Sequence, residues 1–391
     1  MRDDWDAVTF RDIADFTNGY PFKPADLQGS SLPVIRIKQL LDISAETDFT
    51  DLEVPERNLI MDGDLIFSWS GTLASRFWNR GPAALNQHLF RVTAKSGSDI
   101  GWVHLALDHA VEELSTKTHG TTMKHITKGV LESHRILRPP LPVQRRIVDL
   151  MAHLDKHLES CTSEIMALTT LQAESRRELT SQANGGTERT VGEVSSFAGG
   201  YAFSDRFQGQ DQGDFPFYKV SDMNRPNSEK YMRDAANYVD SAILREMKAK
   251  AWPSGTIVFP KVGAALKTEK RRILSQQSAF DNNCMGLIPG PDVLSEFLFA
   301  RMCAVRLADF AQEGAVPSVN QSHLVGIPIW LPSLAEQEAI CEFFLALDYC
   351  LDRLRKEAQA LTQLRSSLLS ELLSETTTLP IEYDSIISEV A

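Results

Sequence analysis

A dense group of basic side chains, Lys267 to Arg272, is the feature of this sequence best suited to bind an anion. Four of its six residues are Lys or Arg, and Glu269 is the single acid. Such side chains form charge-assisted hydrogen bonds with phosphates and also donate to guanine. The group follows Ile257–Phe259, a short apolar run typical of a β-strand, so we expect a loop carried by a sheet. The chemistry predicted here is recognition of a nucleic acid.

Other side chains that can contact bases or phosphates occur in both halves of the sequence. Arg and Lys suit guanine, Asn and Gln suit adenine, and Ser or Thr contact phosphates and bases. A solvated charge or a structural hydrogen bond is the alternative for each, and Asn86 and Asn282 are equally suited to stabilise turns. The candidates are Arg36, Lys38, Gln39, Ser70, Arg76, Asn86, Gln87, Thr121, Thr122 and Lys124 in the first half, and Lys219, Ser221, Lys261, Lys267, Lys270, Arg271, Arg272, Ser318, Asn320 and Gln321 in the second.

Known catalytic motifs are absent from the sequence. It contains no GxxxxGK[ST] loop, no GxGxxG, no HExxH, no Gly-x-Ser-x-Gly turn and no Asn-Pro-Pro-aromatic run. His153 and His157 have the spacing of a helical metal pair, but no nearby carboxylate pattern completes a site, so we assign them to the helix surface. His119 and His125 flank a loop and suit a phosphate-side or structural role. We therefore expect no catalytic residues and no metal or cofactor bound by this chain.

Charge and composition exclude several other classes. The net charge is −12 and the pI is about 5.3, which counts against nucleic-acid binding unless basic residues are clustered. The five cysteines include no CxxC pair, which is typical of reduced thiols rather than a disulfide framework. The sequence shows no apolar run long enough to span a membrane and no secretory signal, so we expect a cytoplasmic protein.

The two halves of the sequence repeat each other, with an offset that drifts from about 181 to 196 residues. The similar segments occur in the same order, which indicates a duplicated domain rather than a solenoid. They are 9–22 with 190–203, 33–38 with 216–221, 63–71 with 255–263, Asn86-Gln87 with Asn282-Asn283, and 139–147 with 332–340.

A heptad pattern follows each Pro-rich junction. Apolar residues recur in steps of four and three from Ile147 to Leu168 and from Ile340 to Leu372, which is the seam of a coiled coil. Each predicted helix has about 38 residues and so a length of roughly 55 Å. Pairing of the two helices buries both stripes, and an internal two-fold relation makes the pair antiparallel. The alternative is that each helix packs on its own globular unit.

The predicted fold class is therefore α+β. We expect two globular domains with mixed β-sheets, separated by two long antiparallel helices in a coiled coil, with a pseudo-two-fold repeat. Trp102 to Leu114 and Val293 to Phe310 are predicted helices packed on these sheets. The predicted boundaries are 1–142 for the first globular domain, 143–184 for the central helix, 185–335 for the second globular domain, 336–376 for the distal helix and 377–391 for an acidic tail.

This arrangement resembles the specificity subunit of type I restriction–modification enzymes. The junctions Leu141–Ile147 and Leu334–Ile340 carry the strongest similarity, and Gly63-Asp64-Leu65-Ile66-Phe67 with Gly71 is similar to a motif of the family's target-recognition domains. The second copy has Gly255-Thr256 in place of Gly63-Asp64, which indicates that the two copies read different half-sites.

The resemblance implies that each globular domain reads one half of a split double-stranded DNA sequence. The helices would set the spacer and dock two methyltransferase subunits, which would bind S-adenosylmethionine. A motor-nuclease subunit would use ATP. The chain itself would be a non-catalytic recognition subunit. Two alternatives remain open: a coiled-coil scaffold or defence-system adaptor that binds only proteins, which the net acidity favours, and a stand-alone enzyme such as a nuclease.

Overall fold

The computed structural model describes residues 5–116, 126–181, 186–226, 228–312 and 316–374. The chain divides into two compact units, the first made of residues 1–161 and 357–391 and the second of residues 162–356. Several sequence predictions lie outside the described residues, namely those for Thr121, Thr122, Lys124, His119, His125 and the tail 377–391.

In the first unit a helix of 17 residues, α3 (Ile100–Thr116), and three shorter helices pack against small antiparallel and mixed sheets. Its strands pair in the orders β2-β9-β6-β7, β4-β3-β8-β5 and β1-β10. They are β1 (Asp6–Thr9), β2 (Ala14–Asn18), β3 (Leu32–Ile35), β4 (Asp48–Thr50), β5 (Leu59–Ile60), β6 (Leu65–Ser68), β7 (Ala74–Phe77), β8 (Ala83–Leu85), β9 (Leu89–Ala94) and β10 (Arg135–Arg138), and the helices are α1 (Phe10–Ile13), α2 (Ile37–Leu41), α3 (Ile100–Thr116) and α4 (Lys128–Ser133).

The core of the first unit lies between α3 and the sheet that contains β2, β9 and β6. Phe67 and Phe90 on the sheet pack in one cluster with Trp102 and Leu107 on α3, and all four are buried. Burying one face of a strand and one stripe of a helix in this way is the usual source of α+β stability.

The second unit repeats this plan. Its strands pair in the orders β12-β19-β16-β17-β14, β15-β13-β18 and β11-β20. They are β11 (Thr187–Thr190), β12 (Ser195–Gly199), β13 (Phe215–Tyr218), β14 (Tyr231–Met232), β15 (Tyr238–Val239), β16 (Ile257–Pro260), β17 (Arg272–Leu274), β18 (Ala279–Phe280), β19 (Cys284–Pro289) and β20 (Pro328–Leu331), and the shorter helices are α6 (Val191–Val194), α7 (Ser241–Glu246), α8 (Gly263–Leu266), α9 (Ser295–Ala304) and α10 (Gln321–Leu324).

Strand pairing confirms the internal repeat. The orders β2-β9-β6-β7 and β12-β19-β16-β17 correspond strand by strand. In the first unit β3 and β8 are parallel, with Ile35 opposite Leu85, and in the second β13 and β18 are parallel, with Tyr218 opposite Phe280. The predicted duplication is therefore a duplication of topology as well as of sequence.

The register corrects one predicted equivalence. Asn86 follows β8 directly and its Oδ1 accepts a hydrogen bond from the His88 backbone N–H. In the second unit the residue in this place is Asp281, which accepts from the Asn283 N–H. Asn86 therefore corresponds to Asp281 and not to Asn282, and both residues stabilise the turn that follows the strand.

A glycine faces each of these turns. A Cβ atom on Gly19 would lie 2.2 Å from the Asn86 carbonyl oxygen, and one on Gly200 would lie 1.8 Å from the Asp281 carbonyl oxygen. Only glycine permits this close approach of two backbones. The Gly-Tyr pair that marks the repeat in the sequence is thus explained by packing.

The two long helices are α5 (Leu141–Leu179) and α11 (Leu334–Leu373). Both begin two residues earlier than the sequence predicts, and Pro142 lies within the first turn of α5, where a missing N–H costs no intrahelical hydrogen bond. Ser333 caps α11, because its hydroxyl donates to the Glu336 carboxylate and that carboxylate accepts from the Ser333 N–H. These hydrogen bonds lower the pKa of Glu336.

Within the first unit the two helices pair in antiparallel fashion. Ile147 and Met151 of α5 form one buried cluster with Leu369 and Leu372 of α11. Further along α5, Asp155 binds Arg365 of α11 through both carboxylate oxygens. Later residues of α5 thus contact earlier residues of α11, which makes the pair antiparallel. In this unit every heptad position of α5 from Ile147 to Cys161 is buried or half-buried. The predicted coiled-coil seam is confirmed.

The helices also meet within the second unit. Leu168 and Leu179 of α5 pack against the buried cluster that contains Phe344 and Leu347 of α11. Gln172 Nε2 donates to Asp348 Oδ1 at 2.7 Å. This cluster includes α9 and β16 residues as well, so α11 packs on its own globular unit while it pairs with α5. The two packing alternatives of the sequence analysis therefore coexist.

One predicted helix is shorter than expected. The sequence predicts a helix from Val293 to Phe310, but α9 ends at Ala304 and Leu307–Phe310 forms a separate 3-10 turn. Val305 is extended at the break (φ −93°, ψ 136°), and its carbonyl oxygen accepts from the Arg271 guanidinium. A tertiary hydrogen bond replaces a helical one here.

A buried glutamine fastens each long helix to its globular unit. Gln144 Oε1 accepts from the Asp99 N–H at 2.7 Å, and its Nε2 donates to the carbonyl oxygens of Gly97 and Pro139. Gln337 does the same with the Leu294 N–H and two carbonyl oxygens. Both side chains are fully buried. The glutamine in each junction motif thus ties the start of a long helix to the start of α3 or α9.

We expect Gln337→Ala to destabilise the protein by about 3 kcal/mol, since one buried N–H and two carbonyl oxygens lose their partners. Denaturant unfolding followed by circular dichroism measures the change. Gln363→Ala, the same substitution at an exposed position of α11, is the control and should alter the free energy of unfolding by less than about 0.5 kcal/mol. Equal stability of the two variants would contradict the fastening role.

Candidate nucleic-acid interface

The basic group Lys267 to Arg272 forms an ordered bend between α8 and β17. Glu269 has a positive φ of 53°. Its carboxylate accepts hydrogen bonds from the Leu307 and Ala308 N–H groups at 3.0 and 2.9 Å. The acid in the middle of the group therefore caps the 3-10 turn Leu307–Phe310 and fixes the bend against it.

Arg271 is buried in this bend rather than exposed. Its side chain is 3% exposed, pairs with the Glu269 carboxylate at 2.7 Å and donates to the Val305 carbonyl oxygen. These contacts use Arg271 to hold the bend in place. A direct DNA contact by Arg271 does not fit this position, and the prediction of such a contact is corrected to a structural role.

The other basic residues of the group differ in availability. Lys267 is exposed, whereas Lys270 is half-buried and its Nζ donates a hydrogen bond to Asn224 Oδ1. Arg272 is half-buried and donates to the Met223 carbonyl oxygen at 2.9 Å; burial lowers its pKa. Lys267 is thus the member of the group that is best placed to meet a ligand.

Backbone pairing brings a second predicted segment next to the end of β16. The Gly263 N–H donates to the Pro317 carbonyl oxygen, and the Val319 N–H donates to the Lys261 carbonyl oxygen. Lys261 and Ser318 are half-buried, while Asn320 and Gln321 are exposed. Predicted contacts that are more than 50 residues apart in the sequence therefore share one region of the second unit.

The end of β13 lies at the same edge. Lys219 follows this strand, its Nζ donates to Gln208 Oε1, and the neighbouring Ser221 is exposed. The Lys261 N–H donates to the Asn283 carbonyl oxygen, and Asn283 follows β18. Residues after β13, β16 and β18 thus gather polar groups at one edge of the second unit.

The first unit has an equivalent edge. Arg36 follows β3 as Lys219 follows β13, and each is the residue before a helical turn whose third residue accepts from its backbone N–H. Gly71 and Gly263, with φ angles of 70° and 67°, follow the equivalent strands β6 and β16. The repeat therefore places a basic residue and a glycine bend at matching positions in both units.

The predicted contacts of the first unit divide into two groups. Lys38 and Arg76 are exposed, while Arg36 and Gln87 are partly exposed, and Arg36 pairs with Asp48 at 3.2 Å. The other group is buried and consists of Gln39, Ser70 and Asn86. The Gln39 and Asn86 side chains form structural hydrogen bonds, and the Ser70 carbonyl oxygen accepts one from the Ser68 hydroxyl. These three are corrected to structural roles in this conformation.

A serine, a histidine and an aspartate meet in the first unit, a combination that the sequence analysis missed. Ser75 Oγ donates to Asp108 Oδ1 at 2.5 Å and lies 2.7 Å from His104 Nδ1. Because the single hydroxyl proton goes to the carboxylate, His104 Nδ1–H is the donor to Ser75. Burial is the main cause of the lowered pKa of His104. Ser75 is fully buried, so this group ties β7 to α3 and is not arranged as a nucleophile with its base.

Comparisons with known proteins agree with this architecture. A family model described as the type I restriction modification DNA specificity domain matches residues 2–168 and 185–363, one match for each copy of the repeat. The described helices include none that is both long and apolar enough to cross a membrane.

Two specificity subunits are similar in sequence. The EcoBI specificity subunit of Escherichia coli is 24% identical over 168 residues, which cover 42% of this chain and 35% of that subunit. The MjaVIII specificity subunit of Methanocaldococcus jannaschii is 19% identical over 414 residues, which cover 96% of this chain and 93% of that one. The first similarity thus spans about a third of its relative, and the second spans nearly all of it.

Solved structures share the fold. The S subunit of a type I restriction–modification system from M. genitalium has a TM-score of 0.58 at 16% identity and covers 97% of this chain and 98% of that one. A structure from work on complex assembly and conformational transition of the type I restriction–modification system has a TM-score of 0.64 at 12% identity, with 95% and 98% covered. The predicted fold class is confirmed.

The buried Arg271 leads to a prediction about stability. Arg271→Met keeps the apolar stem but removes the ion pair and the hydrogen bond to Val305, so we expect the free energy of unfolding to fall by about 2 kcal/mol. Lys267→Met, at an exposed position of the same bend, should change it by less than about 0.5 kcal/mol. Thermal and denaturant unfolding of both variants measure the difference, and indistinguishable curves would refute the structural role of Arg271.

Proposed function

Because this chain belongs to the type I restriction–modification DNA specificity family, we propose that it directs a modification complex to a split DNA target. In this proposal each unit reads one half-site, and α5 with α11 sets the spacing between them. The observation that carries the proposal is the repeat itself: two copies of one fold present polar and basic side chains at equivalent strand ends, and each copy is fastened to a long helix by a buried glutamine.

The DNA contacts of the second unit are proposed to centre on the edge formed after β13, β16 and β18. This edge carries positive charge and amide groups on side chains that are exposed or half-buried, namely Lys267, Lys261, Asn320 and Gln321. Lysine suits phosphates and guanine, and Asn and Gln suit adenine. In the first unit Arg36, Lys38 and Gln87 are the corresponding proposed contacts, and Arg76, which is exposed on β7, is a further one. A local positive surface of this kind is compatible with a net charge of −12.

Partners are proposed to dock on the paired helices. Met166 on α5 and Tyr349 on α11 are 67% and 63% exposed, so both side chains are accessible to a partner. We propose that these helices bind two methyltransferase subunits, which carry S-adenosylmethionine, and that a motor-nuclease subunit with ATP joins the complex. The chain itself is proposed to be non-catalytic and to act in the cytoplasm with these partners.

Substitution of Lys267 tests the DNA contact. In the assembled methyltransferase complex, Lys267→Ala should weaken DNA binding and lower the slope of log affinity against log salt by about 1, because one phosphate contact is lost. Mobility-shift assays at two salt concentrations measure both quantities, with Lys248→Ala, a lysine of the second unit outside this edge, as the control.

The same assays separate the proposal from the scaffold alternative. A scaffold that binds only proteins would show no salt-dependent preference for one DNA sequence over another, in either the parent or the variant complex. Turnover of DNA by the purified chain alone would instead favour a stand-alone nuclease.

A matched shortening of both helices tests the spacer role. Deleting residues 164–170 and 350–356 removes one heptad from each paired segment and keeps the apolar seam in phase. The helices become about 10 Å shorter. We expect recognition of the original spacer to shift or to be lost while the half-site sequences stay the same, as measured by selection from DNA with varied spacers. An unchanged target would refute the spacer role.

Exposed apolar residues test the docking role. Met166→Glu combined with Tyr349→Glu should reduce co-purification of the methyltransferase subunit at least tenfold, since charges would replace the apolar contacts. Met61→Glu, on an exposed residue of the first unit outside the helices, is the control and should not change co-purification. A complex of normal yield from the double variant would exclude this docking surface.

A further inference from the structure

Three side chains that commonly bind metal ions come together where α5 and α11 pair in the first unit. They are His157 and Cys161 of α5 and Glu357 of α11, and their ligand atoms all lie within 4.8 Å of one another. His157 Nε2 is 3.2 Å from Glu357 Oε1. His157 and Cys161 are four residues apart, so they share one face of α5, and Glu357 completes the group from the opposite helix.

The three groups differ in burial in a way that suits a bound cation. Cys161 is 3% exposed and lies on the apolar seam, whereas His157 and Glu357 are exposed at its rim. The Cys161 thiol is shielded from solvent, and the exposed His157 and Glu357 side chains can rotate toward the same cation. Because His157 and Glu357 are exposed, a water molecule can reach the group and complete four-coordination.

The donor atoms favour zinc among the common cations. Imidazole nitrogen, thiolate sulfur and carboxylate oxygen are all zinc ligands, at distances of roughly 2.0 to 2.3 Å, and a thiolate argues against magnesium or calcium. Ligand atoms around a tetrahedral zinc ion are about 3.3 to 3.8 Å apart. The spacing within 4.8 Å reaches this range by small rotations of the exposed His157 and Glu357 side chains.

We propose that His157, Cys161 and Glu357 bind a zinc ion that cross-links α5 and α11. Binding displaces the thiol proton to solvent, so that the thiolate, the neutral imidazole and the carboxylate coordinate the cation. His157 and Glu357 are 200 residues apart in the sequence, so the ion stabilises the folded helix pair relative to the unfolded chain. The site does not depend on the proposed DNA-recognition function.

Cobalt substitution tests the site directly. The full-length chain is reduced, stripped with a chelator and titrated with Co²⁺. We expect one cobalt ion per chain and a thiolate-to-cobalt charge-transfer absorption that Zn²⁺ removes. Cys161→Ser should abolish this absorption, and His157→Gln and Glu357→Gln should each weaken cobalt binding at least tenfold. The controls Cys350→Ser and His153→Gln, on the same helices, should bind cobalt as the parent does.

The competing account is that His157 and Glu357 form an ordinary ion pair and that Cys161 only fills the seam. No thiolate absorption, an absorption that survives Cys161→Ser, or one that Cys350→Ser removes would each overturn the proposal. Thermal unfolding is the second readout, and it covers a Cys161 variant that fails to fold. Zn²⁺ should raise the Tm of the parent but not of Glu357→Gln, a substitution at an exposed site, and an equal rise in both would also overturn the proposal.

Discussion

The buried glutamine at the start of each long helix is the interaction on which the architecture depends. Gln144 and Gln337 each satisfy one backbone N–H and two carbonyl oxygens in places that water does not reach. Leaving such groups unpaired is expensive, so the direction in which each helix leaves its globular unit is fixed. The proposed spacer role requires helix ends that are held in this way.

Duplication places the same constraint in both units. Equivalent strand orders, equivalent turns at Asn86 and Asp281 and equivalent glycine bends at Gly71 and Gly263 build one frame twice. Exposed side chains next to these strand ends differ between the copies, as with Lys38 and Ser221. One frame built twice, with different exposed side chains in each copy, is what the proposed reading of two different half-sites requires.

Periodic features were predictable from the sequence, and features set by long-range contacts were not. The heptads from Ile147 and Ile340 identified the paired helices because an apolar residue at every third or fourth position lies on one face of a helix. The burial of Arg271 depends on Val305, which is distant in the sequence. The equivalence of Asn86 with Asp281 depends on strand register rather than residue type. Cys161 and Glu357 come together only because α5 and α11 pair, so the sequence around His157 alone could not identify the proposed zinc ligands.

The proposed function requires two reading units at a set separation, and methylation mapping tests this requirement most directly. The chain is expressed with its neighbouring methyltransferase subunit in a host that lacks this modification, and every modified site in the genome is located. The account predicts one motif made of two short specified blocks separated by a spacer of fixed length and unspecified sequence. A single continuous motif, a spacer of variable length or no sequence preference would contradict it.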